Sequence, residues 1–226
     1  MKRKILQLHL LALLFVLLYH EISFASEKVL SQDQLENLYN QVVVTLWDKS
    51  DLDNNQPVCS IFFWKPQIMA ATTIERSYIL TAGHCQGKYL RLDDAWWSTF
   101  TTHLTISTDK MDYSLGSVWE FRDKPSYFKA SRAPQTGEVA HTTNSVLEYG
   151  KRIKLQHLTY IGWSNNADAI LFRGELPLEK GMSGSPVISE SGELLGILVM
   201  GDQNDLSKYF VLPIDKFLRV FETIEW

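Results

Sequence analysis

From residue 42 to residue 213 the chain is a series of short runs rich in β-branched and aromatic residues. Each is cut off by turn-forming residues before it reaches the length of an ordinary helix. VVVTLW (42–47) and CSIFFW (59–64) flank the polar cluster DKSDLDNNQP, and SYILTA, YLRL, TTHLTIST and YSLGSVW continue the series. A second set follows: EVAHTT, IKLQHLTYIG, AILFRG, PVIS, LLGILVM and KYFVLP. Between the sets, residues 122–137 are polar and carry Pro125, Pro134 and Gly137, the composition of a linker. Neither set alternates strand with helix, which excludes a doubly wound sheet or a parallel barrel. Two small antiparallel barrels or sandwiches are expected. Helical periods occur only at the ends. SQDQLENLYNQ reads as a short entry helix starting near Ser31 or Asp33. In the tail, Ile214, Phe217, Leu218, Phe221 and Ile224 make one apolar helical face.

Ahead of the strands, MKRK and the apolar LLALLFVLLY lead to SFA (23–25), the pattern of a secretory leader over residues 1–25 cleaved before Ser26. The apolar core is short for a membrane span, which needs about 20 residues, and an uncleaved signal anchor is the alternative. The expected location is outside the cytoplasm, secreted or periplasmic. A formal charge of -4, with no Lys/Arg-rich run after residue 4, leaves no footprint for nucleic acid. An oxidising compartment would let the only two cysteines, Cys59 and Cys85, pair across a loop of about 26 residues, stabilising by roughly 3 kcal/mol. The alternative is two unrelated buried thiols. No Cys-x-x-Cys is present, so a thiolate zinc site has no support, and no cofactor motif occurs.

Two motifs carry chemistry. GMSGSP (181–186) brackets Ser183 between small residues, as a turn that must present a hydroxyl and nearby N–H groups would require. YILTAGHC (78–85) runs a strand into a glycine, then His84 beside Cys85, where a cross-link would limit drift of the imidazole. His103, His141 and His157 read instead as histidines satisfied within the core.

TAGHC together with GMSGSP resembles the trypsin-like (chymotrypsin-fold) serine proteases, in the bacterial style of the HtrA and glutamyl endopeptidase groups. The resemblance covers most of residues 40–224 and is sharp only at these two motifs. It implies two antiparallel six-stranded β-barrels with a C-terminal helix, residues 26–121 carrying His and Asp and residues 138–226 carrying Ser. It also asks for an acid between the motifs. Asp112 in MDYSL, 28 residues after His84, keeps the order His, Asp, Ser; Asp109, Asp93 and Asp94 are the competitors. The roles implied are Ser183 as nucleophile, His84 as general base, Asp112 as its orienting partner, and the N–H groups of Gly181 and Ser183 as an oxyanion hole.

The resemblance further implies that the primary pocket is walled by Pro177 and Leu178 and by the strand Val199, Met200 and Gly201. It supplies no well-placed carboxylate for Arg or Lys selection unless Glu175 or Glu179 turns inward, which leaves a modest, apolar-leaning preference. Met182 departs from the aspartate that in many secreted relatives pairs with a newly cut N-terminus. The reading is an exported serine endopeptidase acting on peptide or protein substrates; the alternative is an inactive relative that binds peptides.

Overall fold

The computed structural model describes residues 29–47, 57–63, 76–85, 89–92, 96–98, 101–107, 112–119, 128, 133–143, 153–165, 168–202 and 204–221. The leader, most of the linker, Asp93, Asp94, Asp109 and Ile224 lie outside the described residues.

The chain enters through helix α1 (Gln32–Val42), capped by Ser31. The Ser31 hydroxyl accepts from the Gln34 N–H and the Gln34 side chain accepts from the Ser31 N–H, so two orphan donors are satisfied reciprocally. Leu35, Tyr39 and Val42 recur at helical spacing and are buried. At Val43 the period changes to two and β1 (Val43–Trp47) begins; the apolar run starting at Val42 is thus split between helix and strand.

Strands β2 (Pro57–Phe63), β3 (Arg76–Thr81), β4 (Tyr89–Leu92), β5 (Trp96–Ser98), β6 (Thr101–Ser107) and β7 (Asp112–Trp119) join β1 in one antiparallel sheet of order β5-β4-β1-β2-β3-β7-β6. The expected six-stranded N-terminal barrel is not shown. Among the described residues the sheet has seven strands and does not close, because β5 pairs only with β4 and β6 only with β7.

The C-terminal half does close. Strands β8 (Val139–Thr143), β9 (Leu155–Ser164), β10 (Ala169–Gly174), β11 (Pro186–Ser189), β12 (Leu194–Gly201) and β13 (Lys208–Pro213) form a six-stranded barrel of order β10-β13-β12-β11-β8-β9. Helix α2 (Ile214–Phe221) follows at once, with Ile214 and Phe217 buried.

Two cores result. Ala140, Leu158, Ile170, Phe172, Met182, Val187, Leu195, Leu198, Tyr209 and Val211 fill the barrel. A second cluster joins α1, the open sheet and the barrel's outer face; it includes Tyr39, Phe62, Phe128, Ile188, Ile197 and Phe217. Strand β12 faces both, sending Leu195 and Leu198 inward and Leu194 and Ile197 outward. Burial on both faces explains why its sequence is a continuous apolar run rather than an alternation.

His141 on β8 stands opposite His157 on β9, with ring centroids 4.7 Å apart. His157 is exposed, whereas His141 is 2 % exposed and neither of its ring nitrogens has a hydrogen-bond partner among the described residues. A satisfied core histidine is therefore not what the fold holds at either position. Burial, and then the charge of His157, lower the pKa of His141 from 6.5 to about 4. The unfolded chain takes up this proton below about pH 6.5, and the folded chain only near pH 4. Stability conferred by the neutral ring is thus complete above pH 6.5 and is lost on acidification down to pH 4, about 3 kcal/mol in all. Denaturant titrations across this range should show that loss in the native chain and its absence in His141→Leu; equal slopes for the two would refute the assignment.

Candidate active site

Strand β3 pairs β7 with Thr81 opposite Ser114. Two residues further along each strand, the same antiparallel register sets Asp112 opposite Gly83, where the chain leaves the sheet. There Gly83–Cys85 make a single 3-10 turn, closed by the Cys85 N–H donating to the Ala82 carbonyl at 3.1 Å. The Asp112 carboxylate consequently meets His84 twice. One oxygen accepts the His84 backbone N–H at 2.8 Å, and the other bonds ring Nδ1. An ionised carboxylate only accepts, so Nδ1 carries the hydrogen and Nε2 of the neutral ring is left as a base. The His84 side chain is 44 % exposed and that of Asp112 14 %.

Cys59 and Cys85 form a disulfide, with Cα atoms 6.0 Å apart, fastening the His84 turn to β2. Their sulfurs and a His84 ring nitrogen lie within 4.8 Å of one another. Sulfurs joined to each other offer no thiolate, so this cluster is not a zinc site.

The next residue of β2, Ser60, holds the Ser183 turn. Its N–H donates to the Ser183 carbonyl at 2.7 Å and its hydroxyl to the Gly181 carbonyl at 3.2 Å, while Thr81 Oγ1 donates to the Ser60 carbonyl at 2.7 Å. From the barrel side, the Gly184 N–H donates to the Leu198 carbonyl and the Leu198 N–H to the Ser185 carbonyl. Both glycines of the motif take left-handed backbone, φ +96° at Gly181 and +88° at Gly184, which a side chain would disfavour. The N–H groups of Gly181 and Ser183 have no acceptor among the described residues. Met182 is buried among the apolar residues of the barrel core.

Cys85 Sγ lies 3.8 Å from the Ser183 carbonyl, so the histidine turn and the serine turn adjoin. The Ser183 hydroxyl itself donates to the Val199 carbonyl at 3.1 Å, and among the described residues no hydrogen bond joins it to His84.

Upstream of the turn, Tyr209 OH bonds the Leu176 carbonyl and Gln156 accepts the Leu176 N–H, fixing the segment that carries Pro177 and Leu178. Burial, opposed by the Gln156 bond, raises the Tyr209 pKa and keeps it a donor. Pro177 is exposed; Leu178 packs toward the barrel core and against Gly201. Glu175 and Glu179 both face solvent rather than inward. Val199 is buried and Met200 exposed on β12, and these two with Gly201 run past the start of β11, whose Pro186 pairs Ile197. Ser60 and Thr81 carry much of this site, and their roles were not found by reading motifs. The signals pointing toward them were the adjacency of Ser60 to a cross-linked cysteine and the place of Thr81 at the head of TAGHC.

No family model and no curated protein matches the sequence. Among solved structures, the serine endoprotease from Yersinia pestis superposes with a TM-score of 0.60 at 15% identity, over 85% of this chain and 66% of its own. The HtrA-type protease AlgW with a tripeptide gives 0.60 at 14%, over 86% and 64%. The Rv3671c protease from M. tuberculosis in its active form gives 0.58 at 15%, over 84% and 83%. These neighbours are a serine endoprotease, an HtrA-type protease and a further protease, and at these identities the likeness is one of fold. The chain spans less than two thirds of the first two proteins' length.

Proposed function

We propose that the chain is an exported serine endopeptidase that cleaves peptide bonds through an acyl-enzyme. The observation that carries this reading is the double hold of Asp112 on His84, which leaves ring Nε2 free as a base beside the Ser183 turn. In the resting arrangement the hydroxyl rests on Val199; one rotamer step about Cα–Cβ frees it. His84 then takes its proton as Oγ attacks the substrate carbonyl, and negative charge on that oxygen is met by the N–H groups of Gly181 and Ser183, which have no acceptor among the described residues. The imidazolium returns the proton to the amine nitrogen as the C–N bond breaks. Water, deprotonated by the same ring, adds to the ester carbonyl, and the ring returns that proton to Ser183 Oγ as the acyl C–O bond breaks and the acid leaves. An extended peptide has backbone partners along Val199–Gly201, and Leu178 against Gly201 narrows the slot to a side chain of modest, apolar kind. A buried Met182 offers no partner to a new amino terminus, so activity does not await that switch. The leader and the disulfide support export, and the fold of the neighbours supports a second closed barrel in the N-terminal half.

One observation favours a non-catalytic, peptide-binding relative: the Ser183 hydroxyl is engaged by Val199 and not by His84. A fluorophosphonate probe separates the two. Labelling of the native chain that disappears in Ser183→Ala supports the enzyme, and folded protein that never labels supports the binder.

A further inference from the structure

Helix α1 lies on the barrel and is bonded to it along its length. The Leu30 N–H donates to the Glu190 carbonyl at 2.9 Å, and Leu30 and Leu38 crowd Gly192 in the β11–β12 turn. Gln32 donates to the Leu155 carbonyl at 3.1 Å, and Asn40 exchanges two bonds with the backbone of Ile153. Glu36 is buried yet accepts from Lys154, Gln32 and the Leu155 N–H; burial pushes its carboxyl up, but these donors together hold it below its usual value. One face of the helix thus acts as a partner to the chain entering β9.

Another part of the same helix reaches the Ser183 turn. The ring of Tyr39 is wholly buried, against Phe128, and its hydroxyl donates to the Pro186 carbonyl at 3.2 Å. Thr142 Oγ1 on β8 donates to the same carbonyl at 3.0 Å. Pro186 stands three residues after Ser183 and begins β11, so two buried hydroxyls, from α1 and β8, converge where the turn becomes strand. On the opposite side Ser60 grips the carbonyls of Gly181 and Ser183. The turn is held at both ends, by β2 before the bend and by α1 with β8 after it.

We propose that Tyr39 is a positioning residue for the nucleophile, acting through the Pro186 carbonyl. The proposal rests on the endopeptidase reading for its kinetic consequence but not for its structural one. Tyr39→Phe keeps the ring packing and leaves Thr142 as the carbonyl's donor, so the fold survives while the turn gains freedom. A reacting oxygen misplaced by about 1 Å costs on the order of 100-fold; a partial relaxation should lower kcat about tenfold with KM within about twofold.

The comparison variant is Glu36→Gln, which weakens the helix's hold on Lys154 without touching Pro186. It should lower the melting temperature at least as much as Tyr39→Phe yet keep kcat within about twofold. Amide exchange in the folded protein gives the second readout. In Tyr39→Phe the Gly184 and Leu198 N–H groups, which bridge turn and barrel, should exchange about tenfold faster, with Ile170 on β10 and Trp163 on β9 unchanged. Native kcat in Tyr39→Phe, or kcat falling equally in both variants, overturns the proposal. Should the native chain fail to cleave peptides or label at all, the endopeptidase reading falls and exchange alone decides: unaltered rates at Gly184 and Leu198 then overturn the coupling, and accelerated rates uphold it.

Discussion

Ser183→Ala and His84→Ala will each lower kcat by about 10⁶-fold if the proposed endopeptidase reading holds, and the double variant will be no slower than either single one. In that reading nucleophile and base act as one unit: without the ring, the hydroxyl keeps its proton, and without the hydroxyl, the ring has nothing to activate. Asp112→Asn should cost less, about 10⁴-fold, and for a reason this site makes specific. The carboxylate satisfies two donors of His84 with two oxygens. An amide has one oxygen, so if it keeps the backbone N–H it turns its NH₂ toward Nδ1 and stabilises the tautomer whose Nε2 carries the hydrogen. Affinity for a peptide lying along Val199–Gly201 should be little changed in His84→Ala and Asp112→Asn, because neither side chain bonds that edge, whereas Ser183→Ala frees the Val199 carbonyl. Turnover on a peptide library, with fluorophosphonate labelling as the site-specific check, tests the set. A Ser183→Ala chain that still cleaves and labels would remove Ser183 from the chemistry.

What the sequence made legible was the chemistry with a local backbone signature. Gly181 and Gly184 had to be glycine because both sit at positive φ, and the glycine before His84 had to be small because Gly83 is buried in a tight turn. Such demands are written within a few residues and can be read there. Asp112 was found only through resemblance in motif order; the reason it arrives is the β3–β7 register, which no single strand displays. The holding contacts are further from view. Ser60 to Gly181 spans 121 residues and Tyr39 to Pro186 spans 147, and neither a serine in an apolar strand nor a tyrosine in an amphipathic helix marks its partner. Closure of the first sheet is hidden for the same reason, since alternation reports that β5 and β6 exist but not whether they meet. In β8 the reading of His141 was right about burial, since Ile188 and its cluster cover the outer face of the barrel, and failed on satisfaction, since its cross-strand neighbour is the His157 ring and among the described residues neither ring nitrogen finds a hydrogen-bond partner.

Gly184→Ala should be the most damaging single change outside the reacting groups. A Cβ at this position would stand 2.0 Å from the Ser60 carbonyl oxygen and 2.3 Å from Thr81 Oγ1, well inside contact distance. The first of these is backbone and cannot swing aside without breaking the bond by which the Ser60 N–H holds the Ser183 carbonyl. The left-handed φ of +88° adds about 1–2 kcal/mol for an L side chain, and forcing the atom into packed surroundings adds about 1–3 more. A loss of about 4 kcal/mol follows, or a melting temperature lower by roughly 10 °C in a chain of this size. Gly137→Ala supplies the comparison. Its φ is +81°, yet nothing lies within 4 Å of the added carbon, so it should pay the backbone term alone. Because the displaced atoms belong to the junction between β2 and the Ser183 turn, Gly184→Ala should also abolish labelling at temperatures where it is still folded, whereas Gly137→Ala should label at the native rate. Equal melting temperatures for the two variants would mean that β2 does not press on the turn as closely as these distances require.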